Sequence, residues 1–383
     1  MLPYLVLLVF LVVVTVIEKY LLVTKRERIA RWAFLFAAIV LILFAVLRNE
    51  TVGADYANYS MYYKTVVSGG DLDGLSWEPG LKLIYSLSTY IGLSFHQLLA
   101  IISFFVVGSY SFVIYKMSKF PVMSLLIYFC IFNYAEQFNI VRQSMAMAFG
   151  MLAVGLYLSI LPSVKQFLYD KTKPSRKTIL GLFAILALIV AGLMFHKSII
   201  ILPFIMVCGV LRFKRESSYW KLALVFGCIS LILFALKPYI VDIFAYGNLD
   251  YKLPLLYLNK PAVIIYLTMT ALIYKVRKDT SNLSRGAQII AMSLYNIFFF
   301  TLMIQALFIW VPNLYRFYIY SNLFLIVMVP LVLTWVYQLT KNIPGVRAYL
   351  VIDAIFILGL VLFAVYSLNV NTSAGVIPYT FSR

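Results

Sequence analysis

Long apolar runs, interrupted at short intervals by clusters of charge and turn residues, fill the chain almost from end to end. A helix needs roughly 20 apolar residues to cross a hydrocarbon core of about 30 Å, and the runs sit near that length. Twelve segments follow from the pattern: 3–23, 31–47, 96–115, 121–135, 140–161, 179–195, 198–211, 220–236, 262–274, 287–309, 317–339 and 349–368. Segments 121–135, 198–211 and 262–274 are short for a full crossing and predict tilted, broken or re-entrant helices. The expected fold is all-α, a polytopic membrane helix bundle of about 12 transmembrane helices forming a single domain over residues 1–383, without a fixed-period repeat.

Composition sharpens this picture. Of 383 residues, 63% are hydrophobic and 12% charged, which excludes an ordinary soluble domain, where about half are apolar and about a quarter charged. Twelve spans take roughly 240 residues, so the connections are too short for a soluble nucleotide-binding or catalytic domain. The net charge of +18 points to membrane orientation rather than to nucleic acid, because the basic residues stand in short runs between apolar segments. With the first crossing entering the cytoplasm, one set of loops holds 22 of the 32 basic residues, and the opposite set holds 8 of the 14 acids. Both termini are therefore expected to face outward. The basic loops read as orientation signals and lipid head-group contacts. Pro3 to Val23 exceeds a signal-peptide core and reads as a retained span. Cys130, Cys208 and Cys228 lie in separate apolar segments and read as packing residues, and two histidines, His96 and His196, make no His-rich metal site. No metal and no cofactor is expected.

The most informative stretch is the long outward connection from Arg48 to about His96, with VGADYANYSMYY, GGDLDG and WEPG in order. Tyr56, Tyr59, Tyr62 and Tyr63 recur at helical spacing and predict an amphipathic helix at the outer interface; its rings suit an aromatic belt or a platform for sugar rings. Residues 81–95 are apolar but short, as in a re-entrant segment, so that 48–95 as a whole would lie over an outward cavity. Asp71 and Asp73 stand in a Gly-rich turn and read as solvated rather than as a metal pair.

A charge in hydrocarbon costs about 2.5–3.5 kcal/mol on insertion scales, so charges interrupting apolar runs call for a reason. Arg48, Glu136, Arg142, His196, Lys197 and Arg316 all fall on the outward side of the counted topology, with Asp55 and Glu78 at about the same level. Guanidinium groups suit phosphate or pyrophosphate because their planar fork donates two parallel hydrogen bonds and stays charged in low dielectric. Arg142 follows Asn139 and precedes Gln143 and Ser144, giving that helix start a polar face. Asp353, nearer the cytoplasm, reads as structural, with Arg347 or Lys341 as partner.

These motifs resemble the EpsG family of Wzy-like polysaccharide polymerases. The resemblance is carried by Arg48 with Val52-Gly53-Ala54-Asp55-Tyr56 and Tyr59, by Glu78-Pro79-Gly80, by Asn139-Ile140-Val141-Arg142-Gln143-Ser144-Met145-Ala146, and by Phe195-His196-Lys197-Ser198 leading to Leu202-Pro203. Tyr315-Arg316-Phe317 is a less distinct match and the place for a second basic anchor. The resemblance implies a membrane glycosyltransferase of GT-C type in the bacterial cytoplasmic membrane. Its implied role is to join undecaprenyl-pyrophosphate-linked oligosaccharide repeat units at the outer face for exopolysaccharide, capsule or O-antigen, alongside other polysaccharide-assembly proteins.

On that reading transfer is metal-independent and inverting. Arg142, Arg48, Arg316 and Lys197 hold the pyrophosphate, and Tyr56, Tyr59, Asn139, Gln143, Ser198 and Tyr315 contact substrate. His196, Asp55 or Glu78 is the base, and sequence leaves the three open. The competing classes are a transporter or flippase of lipid-linked sugars, which would call for internal repeats and midplane charges, and an O-antigen ligase, which would share these residues and differ in acceptor.

Overall fold

The computed structural model describes residues 1–49, 51–72, 77–213, 217–236, 260–278, 284–307, 317–340, 348–370 and 375–381. Described residues are helical or connecting, without a strand; the one bridge pairs Arg48 with Phe381. A helix stands at each of the twelve expected segments. Eight are long and apolar enough to cross a membrane, and those covering Pro121–Cys130, Lys197–Val210, Ser217–Leu233 and Ile264–Lys275 are shorter. The outer faces of several helices carry exposed large apolar side chains, among them Val6, Val9, Phe36, Phe104, Phe183 and Leu358, as lipid-facing surfaces require. The chain is a multi-pass membrane protein.

Two compact units divide the chain: Met1–Ile160 with Ser175–Ile200 and Asn322–Arg383, and Leu161–Pro174 with Ile201–Ser321.

In the first unit, α1 (Leu2–Val23), α2 (Glu27–Val46), α5 (Phe95–Met117) and α15 (Ala348–Val370) surround α6 (Pro121–Cys130). At 1.5 Å per residue α6 is about 15 Å long, half a bilayer, and Val122 to Cys130 are all buried. It begins on Pro121, whose missing N–H is no loss at a helix start. The next two donors go to a carboxylate from α1: Glu18 Oε1 accepts from Val122 N–H at 2.8 Å and Oε2 from Met123 N–H at 3.3 Å. Glu18 is thus a buried cap, a charge that hydropathy alone does not explain. Phe132, at φ 67°, turns the chain out of α6 into the single turn α7 (Asn133–Glu136), and α8 (Val141–Asp170) follows. The expectation of a broken helix near 121–135 corresponds to this α6–α7 break.

α8 runs nine residues beyond the expected end at 161, with Pro162 inside it. Proline removes one helical hydrogen bond there without ending the helix. Asp353 pairs with Lys19 of α1 and Tyr337 of α14 (Phe317–Thr340); the expected partners Arg347 and Lys341 lie outside the described residues. The pairing is set by α1 packing nearby, which adjacency in sequence does not reveal.

In the second unit, α10 (Ile201–Val210), α11 (Ser217–Ala235) and α12 (Lys260–Lys278) all pack on α13 (Arg285–Leu307). Tyr219 and Asn296 tie it together: the phenol donates to Asn296 Oδ1 at 2.6 Å, and Asn296 Nδ2 donates to the Leu211 carbonyl at 2.6 Å.

Candidate functional site

The long connection folds as two short helices, α3 (Tyr56–Val67) and α4 (Pro79–Tyr90). The tyrosine row does form a helix, and its inward face is Tyr56, Tyr59 and Tyr63, all buried. Phe95, Tyr85 and Trp77 complete the cluster, with ring centroids 5.2 Å apart for Tyr56 and Phe95 and 5.5 Å for Tyr59 and Trp77. Tyr62 stays half-buried, edge-on to Trp77 at 4.7 Å.

Glu-Pro-Gly is the start of α4. Pro79 sets the first helical φ, and Glu78, in extended conformation just before it, turns its carboxylate away from capping. Gly80 then comes so close to the segment after α9 (Arg176–Leu193) that its N–H donates to the Met194 carbonyl at 2.6 Å, and a Cβ there would lie 2.5 Å from that oxygen. Only glycine fits. Docked in this way, Glu78 reaches two partners far apart in sequence: Oε2 accepts from Arg142 Nη1 at 2.7 Å, and Oε1 accepts from the Lys197 N–H at 3.2 Å.

Arg142 is the second residue of the 30-residue α8. A helix N-terminus carries partial positive charge, so a cation there is disfavoured unless anions offset it. Glu78 supplies one charge. Arg142 Nε is buried without a hydrogen-bond partner, the guanidinium stacks 5.1 Å from the Trp77 ring, and the side chain remains 25% exposed. Burial raises the Tyr59 phenol above its usual value, and the neighbouring Arg142 charge opposes that rise. Next along the helix, Gln143 is 2% exposed and both amide atoms lack partners, a cost of about 1–3 kcal/mol per orphaned group.

Arg48 lies deeper, 4% exposed. Its Nη1 donates to Ser103 Oγ at 3.0 Å, its guanidinium sits 4.8 Å from the Phe138 ring, and Nε has no partner. Among the described residues no carboxylate pairs with it. Burial lowers its pKa to about 10, which leaves it charged at neutral pH. The strip between the two arginines also holds Asp55: Asn139 Oδ1 accepts the Asp55 N–H at 2.9 Å, and Gly53 packs where a Cβ would stand 2.2 Å from the Phe138 carbonyl. Asp55 precedes α3 but makes no side-chain cap, so its half-exposed carboxylate has no bonded partner among the described residues.

His196 lies in the turn before a 3₁₀ segment, Lys197–Ile200, with Nδ1 2.6 Å from Ser198 Oγ and accepting the Ser198 N–H at 3.2 Å. A ring that accepts at Nδ1 carries its neutral-state proton on Nε2. The Lys197 side chain is exposed. The structure therefore brings Glu78, Arg142, Tyr59 and the 196–198 turn together, with Asp55 and Asn139 adjacent along the 138–142 strip. Tyr315 and Arg316, like Asp73, lie outside the described residues.

The sequence reading missed the carboxy-terminal tail. Residues 375–381 lie along the Arg48 loop: Gly53 N–H donates to the Gly375 carbonyl and Asn49 N–H to the Thr380 carbonyl, both at 2.8 Å. Tyr379 stacks on Phe44 at 4.0 Å and bonds its carbonyl. A seven-residue tail is too short to carry a periodicity that would signal such a role. Trp77 was visible only as a letter beside Glu78; its place under Arg142 comes from the docking of α4.

The EpsG family model matches residues 31–381, nearly the whole chain. No curated protein matches, and no solved structure matches.

Proposed function

The chain belongs to the EpsG family, and from that premise we propose that this membrane protein of polysaccharide biosynthesis is a polymerase joining undecaprenyl-pyrophosphate-linked repeat units. The observation that carries the reading is Arg142: a cation on the positive end of a long helix, with one carboxylate, an orphaned Nε and partial exposure. Such a group is under-compensated until a second anion arrives, and helix N-termini with guanidinium groups are apt sites for pyrophosphate. Arg48, fully covered, contributes through its field rather than by contact. Lys197 supplies further positive charge; Arg316 lies outside the described residues.

In the reaction, the acceptor hydroxyl oxygen bonds to the anomeric carbon of the donor as the bond from that carbon to the phosphate oxygen breaks. The electron pair leaves on polyprenyl pyrophosphate, where Arg142 stabilises the developing charge. Attack opposite the leaving group inverts the anomeric centre and needs no metal. The hydroxyl proton passes to Asp55, the one of the three base candidates whose carboxylate is uncommitted; Glu78 is occupied in holding Arg142, and His196 serves better as an Nε2–H donor to a sugar oxygen. Tyr56, Tyr59, Asn139, Gln143 and Ser198 line the substrate path; Tyr315 lies outside the described residues. The proposal includes twelve crossings of GT-C type, one functional domain, a bacterial cytoplasmic membrane, and an outward site with both termini outside, as the charge bias supports.

The test is purified full-length protein in lipid nanodiscs with pyrophosphate-linked repeat units, following both a product ladder and release of polyprenyl pyrophosphate. The proposal expects both. Transbilayer movement of the substrate without either product would favour the flippase class, and transfer to a lipid-A-like acceptor alone would favour a ligase.

A further inference from the structure

A second polar site lies in the other unit. The last turns of α8, Arg212 just beyond α10 and the first turns of α13 line a cavity of about 280 Å³, with Lys165, Tyr169, Asp170, Arg285 and Gln288 among its other lining residues. Three cations face one carboxylate. That carboxylate is already engaged, with Asp170 Oδ2 accepting from Arg285 Nη2 at 2.7 Å. Arg212, exposed at the rim, sits 5.8 Å from the Tyr169 ring, and Tyr169 donates to the Val210 carbonyl at 3.1 Å.

Lys165 is the residue that needs explaining. It is 7% exposed, lines the cavity, and has no hydrogen bond or ion pair among the described residues. Its position five residues before the end of α8 is beyond the reach of the helix's negative terminus, which acts within about one turn. A buried ammonium without an anion is costly, and burial of the cavity floor by an apolar residue would remove that cost. Nothing in the catalytic reading uses it: the charge bias assigns Lys165, Arg212 and Arg285 to the cytoplasmic side, whereas the polymerase reaction is proposed at the outer face.

We propose that this cavity binds a phosphate group, with Lys165 at its floor and Arg212 and Arg285 at its rim. The volume is just under the usual range of about 300–1,000 Å³ for small-ligand sites, which suits a phosphate or a phosphorylated headgroup and excludes a polyprenyl-linked oligosaccharide. Rim arginines give a bidentate fork and the floor lysine a point charge, the usual division of labour toward phosphate. The proposal does not depend on the polymerase reading.

Two arms distinguish the sources of that phosphate. In the first, full-length protein in phosphatidylcholine nanodiscs is titrated with inorganic phosphate and pyrophosphate and followed by calorimetry. In the second, protein purified with phosphatidylglycerol is delipidated stepwise and retained lipid is counted by native mass spectrometry. Saturable binding in the first arm assigns a soluble phosphate compound; one tightly retained phosphatidylglycerol in the second assigns a lipid headgroup. In whichever arm binds, Lys165→Gln and Arg212→Gln should each weaken it about tenfold. Arg212 is exposed, so its variant keeps the test valid should Lys165→Gln fail to fold. No binding in either arm, or binding unchanged in the folded variants, overturns the proposal.

Discussion

Gly80→Ala tests the docking of α4 without touching a charged group. The added Cβ would stand 2.5 Å from the Met194 carbonyl oxygen and 2.9 Å from its carbon, backbone atoms with no flexible end to yield. Moving α4 away also lengthens the 2.6 Å hydrogen bond from Gly80 N–H. Overpacking costs about 1–3 kcal/mol and the lost hydrogen bond about 1 kcal/mol, so the docked arrangement loses about 2–4 kcal/mol. Glu78, two residues away, then withdraws from Arg142 and from the Lys197 N–H. Polymerisation in nanodiscs should fall by at least tenfold, while the spanning helices and membrane insertion persist. Gly108→Ala is the matched control: it lies within α5 with open space around it, so alanine there should leave turnover unchanged and raise stability by about 0.5–1 kcal/mol. Wild-type turnover in Gly80→Ala would refute the claim that Glu-Pro-Gly works by close approach.

Asp55→Asn should lower the turnover rate by about 10²–10⁴ with little change in donor affinity, read as a split between kcat and KM, whereas His196→Gln should cost less; the opposite ranking would make His196 the base. Arg48→Met should reduce turnover yet leave the thermal unfolding temperature unchanged or higher, because it removes an unpaired buried charge; a large drop in stability would show that Arg48 is a structural anchor. With its pKa lowered by burial to about 10, folded Arg48 binds its proton less tightly than the unfolded chain does. Its burial penalty is therefore constant below about pH 10 and relieved above it, and the pH–rate profile between pH 6 and 9 should show no step that Arg48→Met removes. Ending the chain at residue 374 removes the acceptors of the Gly53 and Asn49 N–H groups, and should impair polymerisation while protein remains in the membrane fraction.

Helices were legible because most apolar runs are long and bounded by charge, and a break near α6–α7 was legible because the segment 121–135 is short for a straight full crossing. The end of α8 was not legible: the helix continues past the apolar run and through Pro162, where a proline removes one hydrogen bond without ending the helix. Within the site, counting loops by charge placed Glu78, Arg142 and Lys197 on one side, and the structure joins them through the Glu78 carboxylate. Which carboxylate is occupied and which is available could not be read, because Asp55 and Glu78 differ only in what docks beside them. Glu18 and the 375–381 tail escaped for a related reason: each acts on backbone N–H groups more than a hundred residues away.

The most direct measurement is the affinity of purified protein in nanodiscs for polyprenyl pyrophosphate, compared between wild type and a folded Arg142→Ala variant. A charge-assisted hydrogen bond contributes about 1.5–3 kcal/mol, so the variant should bind about 10- to 150-fold more weakly, with its product ladder lost in parallel. Equal affinity in the two proteins, with the ladder intact, would contradict the assignment of Arg142 to the leaving pyrophosphate.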